Sequence, residues 1–261
     1  MLEIEIVKID VPAKKIQKMK DYVAEEKPLH VFLNRTHYAT IFCLPTNLKE
    51  LAIGHLLSEG IIKSIEEIEK TSFKGEGVCH VKLKSNIDLE KRLKLAKRFS
   101  RIILSACGSP YSYQPSKRLP KIKSKLIVKA EVIFDCVNRL NFIAEAFRKT
   151  GGVHAAAIYT NDGNLVALAE DVGRHNAVDK VIGMCALNKA DFSECFLALS
   201  GRLTGDIVLK AARIGLPIVA SLAAAIDSGI AIAKEVDLTL IGFVRGKRMN
   251  VYNSPQRILL N

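Results

Sequence analysis

Residues 196–243, FLALSGRLTGDIVLKAARIGLPIVASLAAAIDSGIAIAKEVDLTLIGF, decide the fold class. The apolar runs FLALS, PIVAS and LTLIGF are long enough for strands and too short for helices. Between them lie two helix-length segments, DIVLKAARI closed by Gly215 and another from near Ser228 to Glu235. Strands separated by helices predict parallel pairing with right-handed crossovers, hence an α/β fold. The most apolar part, Gly215 to Ala233, is punctuated by Pro217 and Asp227. It therefore reads as a buried strand–turn–helix and not as a membrane span.

Upstream, Val153 to Ala169 predicts a hairpin turning at Asn161-Asp162-Gly163-Asn164. A helix begins near His175 with Val178, Val181, Ile182 and Cys185 facing inward. Ala130 to Thr150 reads as one long amphipathic helix with Cys136 on its apolar face and Gly151 at its end. Farther upstream, His30 to Leu44 predicts two strands around an Asn34-Arg35 turn. Thr46 or Asn47 then caps a helix in capping-box style with Glu50. Leu48, Leu51, Ala52, His55 and Leu56 share one face of that helix, and Gly60 stops it. Leu2 to Val7 and Gly75 to Lys84 read as strands, and Asp88 caps the helix LEKRLKLAKRF.

Composition fits a soluble globular protein, with 261 residues, 49% apolar and 25% charged. The six cysteines lie far apart with no pair at redox or metal-ligand spacing, so neither a disulfide framework nor a structural metal is expected. The opening MLEIEIVKID carries acids within its apolar stretch, unlike a signal peptide. A cytoplasmic protein with reduced thiols and no membrane association is the expectation.

The basic charge is local. From Lys82 to Lys129 there are 14 Lys and Arg against two acids, an excess equal to the +12 of the whole chain. Within this region lies RIILSACGSPYSYQPSKR, Arg101 to Arg118. Gly108 and Pro110 break regular structure there, so Cys107 sits in a mobile basic loop. Nearby cations favour the thiolate, the nucleophilic form, and would draw in a phosphate-bearing ligand. A plain surface cysteine in a basic loop is the competing reading. The segment Gln114 to Lys125, with two prolines and five basic residues, marks the best domain boundary. The expected division is a smaller α+β part at 1–104, the cysteine loop and linker at 105–125, and an α/β domain at 126–261.

In open parallel sheets, ligands bind at the carboxyl ends of strands. Those ends carry Ser200-Gly201-Arg202, then Ser221, then Phe243-Val244-Arg245-Gly246-Lys247-Arg248. Glycine admits close backbone approach, and arginines and helix N-termini bind phosphate. Glu170 to Asn176 packs polar groups, His175 among them, at another strand-to-helix junction. The competing readings pair Arg202 with Asp206, leave Arg245 to Arg248 as a solvated basic tail, and make His175 and His154 caps or satisfied core residues.

Several runs together resemble one family. GGVHAAA (Gly151–Ala157), EDVGRHNAVDKVIG (Glu170–Gly183), SGR (Ser200–Arg202), GF-x-R with NVY (Gly242–Tyr252) and LAIGHLLSEGII (Leu51–Ile62) resemble the formate dehydrogenase accessory sulfurtransferase family, from about Leu29 onward. The resemblance implies a cytidine-deaminase-like α/β C-terminal domain with a smaller N-terminal part. It does not imply deamination, because no H-x-E followed by P-C-x-x-C is present. It implies a homodimer that takes persulfide sulfur from a cysteine desulfurase and delivers it to the molybdenum cofactor before insertion into formate dehydrogenase. By position, Cys107 matches the first cysteine of the family's C-G-x-C loop and Pro110 replaces the second. Phe243 to Arg248 match the segment that binds Mo-bis(molybdopterin guanine dinucleotide), with GDP as a fragment ligand. Gly201, Arg202, Ser221 and His175 complete the expected binding set.

Two alternatives stand beside the sulfur carrier. One is a chaperone that holds the guanine-dinucleotide cofactor without moving sulfur, which Pro110 favours. The other is a nucleic-acid binder. It is disfavoured because Phe99, Tyr111 and Tyr113 are the only aromatics interleaved with the basic patch.

Overall fold

The computed structural model describes residues 1–97 and 119–260. The chain opens with a hairpin, β1 (Leu2–Asp10) and β2 (Lys15–Val23), that forms a sheet of its own. Strands β3 (Lys27–Leu33) and β4 (Thr36–Cys43) follow, then helix α1 (Leu48–Ser58), β5 (Ile68–Phe73), β6 (Val78–Leu83) and helix α2 (Leu89–Lys97). These four strands form a sheet of order β4-β3-β6-β5, with β3 and β6 parallel. The turn between β3 and β4 falls at Asn34-Arg35 as expected, and Asp88 caps α2 through a 3.0 Å bond from the Lys91 N–H.

The second half begins with β7 (Val128–Lys129) and helices α3 (Ala130–Ile143) and α4 (Glu145–Thr150). The hairpin β8 (His154–Thr160) and β9 (Leu165–Asp171) leads into α5 (Arg174–Leu187). Then come β10 (Cys195–Leu199), α6 (Gly205–Ile214), β11 (Ile218–Ser221), α7 (Asp227–Val236), β12 (Thr239–Arg245), β13 (Arg248–Asn253) and β14 (Ile258–Leu259), which pairs with β7. The main sheet runs β13-β12-β11-β10-β8-β9. β10, β11 and β12 are parallel, as their intervening helices require, and the other pairings are antiparallel.

Both faces of this sheet are covered, which explains its unbroken apolar strands. Ala156, Ile158, Leu197, Leu199, Val219 and Leu240 face α1, α5, α6 and α7. Their neighbours Ala157, Tyr159, Phe196, Ala198 and Ile241 face α3, which contributes Ile133, Cys136, Val137 and Leu140. The inner face of the N-terminal sheet, including Leu29, Val31, Ile41 and Val81, joins the first of these cores. One hydrophobic core therefore runs through both halves of the chain. Among the described residues no helix is long and apolar enough to cross a membrane.

Three local expectations are corrected. The long helix at 130–150 breaks at Ala144, where the Glu170 carboxylate accepts from the backbone N–H of Ala146 (3.1 Å) and Phe147 (2.6 Å). A half-buried acceptor on β9 thus caps a fresh helix start. Asn47 precedes α1 but is left-handed (φ 53°) and makes no side-chain cap bond. An extended backbone is what aims an N-cap side chain at the first turn. Finally, α1 has no solvent face: all residues from Leu51 to Ser58 are buried.

Candidate functional site at the carboxyl edge of the main sheet

α1 and α5 cross backbone to backbone, and this crossing sets the position of the site. A Cβ on Gly54 would lie 1.7 Å from the Asp179 carbonyl oxygen, and one on Gly183 would lie 2.0 Å from that of Glu50. The motifs LAIGHLL and NAVDKVIG therefore interlock through their glycines. Two buried charge clusters flank the crossing. In one, the Lys180 ammonium lies 2.7 Å from the Asp171 carboxylate and donates to the carbonyls of Leu44 (3.0 Å) and Glu170 (3.1 Å). Asp171 also accepts from the N–H groups of Leu44 (3.1 Å) and Gly173 (3.0 Å) and from the Asn176 amide (2.9 Å).

In the other cluster, Asp179 accepts from the Ser58 hydroxyl (2.6 Å) and Lys210 (2.9 Å), with His55 Nδ1 at 3.0 Å. Lys210 also reaches Glu59 at 2.8 Å. Burial alone would neutralise these groups, but each has opposite charges at contact distance. Burial raises the Asp179 and Glu59 carboxyls, and Lys210 with its neighbours outweighs that and holds both below the ordinary range. Burial lowers Lys210, and Asp179 and Glu59 more than restore it. The contacts of Asp171, Asp179 and Lys180 pin the first turns of α5 relative to β4 and α1, and Lys210 ties α6 to the same cluster.

The pinned turn sits at an edge where several strands converge. Because β8 runs antiparallel to β10, the start of β8, the end of β9 and the ends of β10, β11 and β12 meet there. His154, at the start of β8, has its Nδ1 3.4 Å from the Ser200 hydroxyl, which accepts from the Ala155 N–H at 3.0 Å. Gly201 has no room for a side chain: a Cβ would fall 2.9 Å from Arg174 Cβ. Its absence lets the buried Arg174 lie across the end of β10. Burial, then the charges of Arg174 and Arg202, lower the His154 pKa, so a neutral imidazole stands among cations. Arg202 itself is exposed and among the described residues has no ion-pair partner, so the pairing with Asp206 does not form.

His175 is pushed down to about 3 by burial and by the Lys210 and Arg174 charges. Its Nε2 is buried without a hydrogen-bond partner among the described residues. Ser221 is fully buried, donates to the Gly201 carbonyl at 2.6 Å and accepts from the Ala223 N–H at 3.0 Å. Its hydroxyl ties the ends of β10 and β11 together beneath the surface of the edge.

The run Phe243 to Arg248 differs from the loop expected after the third strand. Phe243, Val244 and Arg245 belong to β12, Gly246 (φ 66°) lies in the turn, and Arg248 starts β13. The expectation missed β13 because RMNVYN carries only a short alternation. Phe243 is left-handed (φ 53°) at a register shift, and its N–H bonds the Ala223 carbonyl at 2.9 Å. Val244 is fully buried in the α3-side core. Arg245 lies 5.0 Å over the Phe243 ring and directly opposite Arg248, with exposed Lys247 between them. Like charges facing across a hairpin are unfavourable without an anion, and paired arginines suit phosphate. The edge is thus cationic and donor-rich around Arg174, Arg202, Arg245 and Arg248. Cys107 and Pro110 lie outside the described residues. Among those described, no three His, Cys, Asp or Glu side chains are grouped to hold a metal ion.

Sequence reasoning placed Arg174 in the polar run at the strand-to-helix junction without giving it a role, and did not assign Asp179 or Lys210 to the site or its support. The available signal was a cation directly before His175 at a strand-to-helix junction, and charges breaking the apolar faces of short helices.

A family model described as the FdhD/NarQ family matches residues 24–259. A protein of Shouchella clausii called sulfur carrier protein FdhD is 38% identical over 249 residues, covering 93% of this chain and 92% of that one. A protein of the same name from Sulfurisphaera tokodaii is 39% identical over 246 residues, covering 92% of both. A crystal structure from Desulfotalea psychrophila, described as a formate dehydrogenase accessory protein, superposes with a TM-score of 0.78 at 30% identity, covering 99% of each chain.

Proposed function

The chain belongs to the FdhD/NarQ family, and on that premise we propose that it is a sulfur carrier in the maturation of formate dehydrogenase. In this reading the Cys107 thiolate attacks the outer sulfur of a cysteine desulfurase persulfide. The S–S bond of the donor breaks, the donor cysteine leaves as a thiolate, and Cys107 holds the new persulfide. The sulfur then passes to the substrate, the molybdenum cofactor in its bis(molybdopterin guanine dinucleotide) form. Arg245, Lys247 and Arg248 hold the nucleotide end, with Arg202 and the backbone at Gly201 beside them. The cytidine-deaminase-type domain serves as scaffold, and the carrier acts as a cytoplasmic homodimer.

The supporting observation is the state of the other thiols. Of six cysteines, Cys43, Cys79, Cys136, Cys185 and Cys195 are all buried. Burial pushes Cys43 and Cys185 up to about 12 and Cys79 to about 11, and raises Cys136 and Cys195. Buried thiols held protonated are inert toward a persulfide. Cys107, among cations in the sequence, is the remaining candidate.

The test is Cys107→Ala: formate dehydrogenase maturation is lost while the far-ultraviolet circular dichroism and melting temperature stay at parent values. Full maturation by that variant sinks the carrier reading. It favours the second reading, a cofactor-binding chaperone, which Pro110 supports by removing the second loop thiol. Calorimetric titration with GDP separates the two activities, since nucleotide binding depends on Arg245 and Arg248 and not on Cys107.

A further inference from the structure

The outer face of the N-terminal sheet carries a second cationic pocket, lined by none of the residues named at the main-sheet edge. It has a volume of about 530 Å³ and is lined by Arg35, Lys70, Ser72, His80, Lys82 and Ser85, among others. That size suits a small ligand.

Its lining donates far more than it accepts. Lys70 and Lys82 stand directly opposite each other on β5 and β6, an unfavourable placement for like charges. A register shift beside Lys70 brings Glu69 to Lys82 at 2.5 Å, which offsets one of the two. Lys70 and Arg35 have no ion-pair partner among the described residues. The Asn34 side-chain oxygen accepts from the Leu83 N–H at 2.9 Å, which leaves its amide hydrogens as donors. His80 stacks on Phe32 at 4.9 Å between ring centroids, giving the pocket an aromatic floor. Glu69 is the one carboxylate in the lining.

The turn that presents Arg35 points the same way. Asn34 (φ 45°) and Arg35 (φ 73°) are both left-handed. A two-residue hairpin turn of this kind favours glycine at its second position. Arginine thus stands where glycine would relieve the backbone, and the turn brings its side chain to the pocket.

We propose that this pocket binds the phosphoryl or pyrophosphoryl group of a small anionic ligand through Arg35, Lys70 and Lys82. Such a ligand offers many acceptor oxygens to a site made almost wholly of donors. The proposal does not rest on the proposed sulfur transfer.

The experiment is a calorimetric titration with inorganic pyrophosphate in the Arg245→Ala, Arg248→Ala chain, which removes the other proposed anion-binding surface. Saturable binding is expected, weakened about tenfold or more by Lys70→Gln and by Arg35→Gly. Arg35→Gly suits the left-handed turn, so its melting temperature stays at or above that of the parent, separating lost binding from lost fold. GDP competing more tightly than pyrophosphate identifies a nucleotide read partly by the His80 ring. Equal competition identifies a bare phosphoryl group. No saturable binding below about 10 mM, where binding is too weak to be specific, overturns the proposal. So does affinity unchanged in both pocket variants.

Discussion

The two halves of EDVGRHNAVDKVIG lie in opposite physical surroundings. The second half, with Asp179, Lys180 and Gly183, is in a closed seam where buried charges are matched and backbones touch. The first half reaches that seam through Asp171, but its Arg174 and His175 lie toward an edge where cations gather around a neutral imidazole and His175 Nε2 has no partner among the described residues. The seam is closed by matched charges, and the edge leaves cationic donors exposed at Arg202, Arg245 and Arg248. In the proposed reading, a single specific sequence run is demanded by stability in one part and by ligand chemistry in the other. Substitutions along it should divide cleanly between loss of fold and loss of binding.

The largest effect is expected in the seam. Asp179→Ala leaves Lys210 buried with Glu59 as its one nearby carboxylate among the described residues and removes the side-chain partner of His55 and one of those of Ser58. Breaking a buried pair costs about 3–5 kcal/mol, read as a lower urea midpoint. Gly183→Ala comes next. The added methyl meets the Glu50 backbone, which cannot rotate away, and overpacking of this kind costs about 1–3 kcal/mol or more. Should either variant keep parent stability, the seam is not the closed structure described.

Acid titration sharpens the contrast at intermediate size. Above the ordinary imidazole value of 6.5, His175 is neutral both folded and unfolded and contributes no pH dependence. As pH falls through 6.5 the unfolded chain gains a proton that the folded chain refuses until about pH 3, so stability declines across that window. Asp179 and Glu59, held below the ordinary carboxylate range, add their loss only below about 4.5. His175→Gln should flatten the decline between pH 6.5 and 4.5 and leave the steeper acid limb, as followed by thermal melts. An unchanged slope would mean that His175 is freely protonated in the fold.

The smallest effect on stability belongs to the edge. Arg245→Ala should change unfolding free energy by less than about 0.5 kcal/mol, because its side chain is exposed. The same variant should weaken GDP binding about tenfold, the size expected for one charge-assisted phosphate contact. A stability loss as large as that of Asp179→Ala would erase the distinction between the two regions.

The parallel strands β10, β11 and β12 were legible because Gly215, Pro217 and Asp227 punctuate short apolar runs. The β8–β9 and β3–β4 hairpins were legible from their turn residues. The helix α1 and its stop at Gly60 were legible, but not that Leu51 to Ser58 is buried on every side, because the expected inward face named only part of it. Asp179, Lys180 and Lys210 were invisible as interior groups, since a charge in a helix reads as solvent-facing until its partner from another element is known. The break at Ala144 depends on Glu170, which lies across the fold on β9. At the edge, the arginines and Gly201 could be named from strand ends. That Val244 and Ser221 turn inward is settled by register and by a hydrogen bond, neither of which composition records.

The carrier step itself is best tested by incubating the protein with a cysteine desulfurase and cysteine, then locating added sulfur by intact and peptide mass spectrometry. The account predicts one extra sulfur, on the peptide containing Cys107. No adduct with an active desulfurase, or sulfur on Cys43, Cys79 or Cys195, would contradict it.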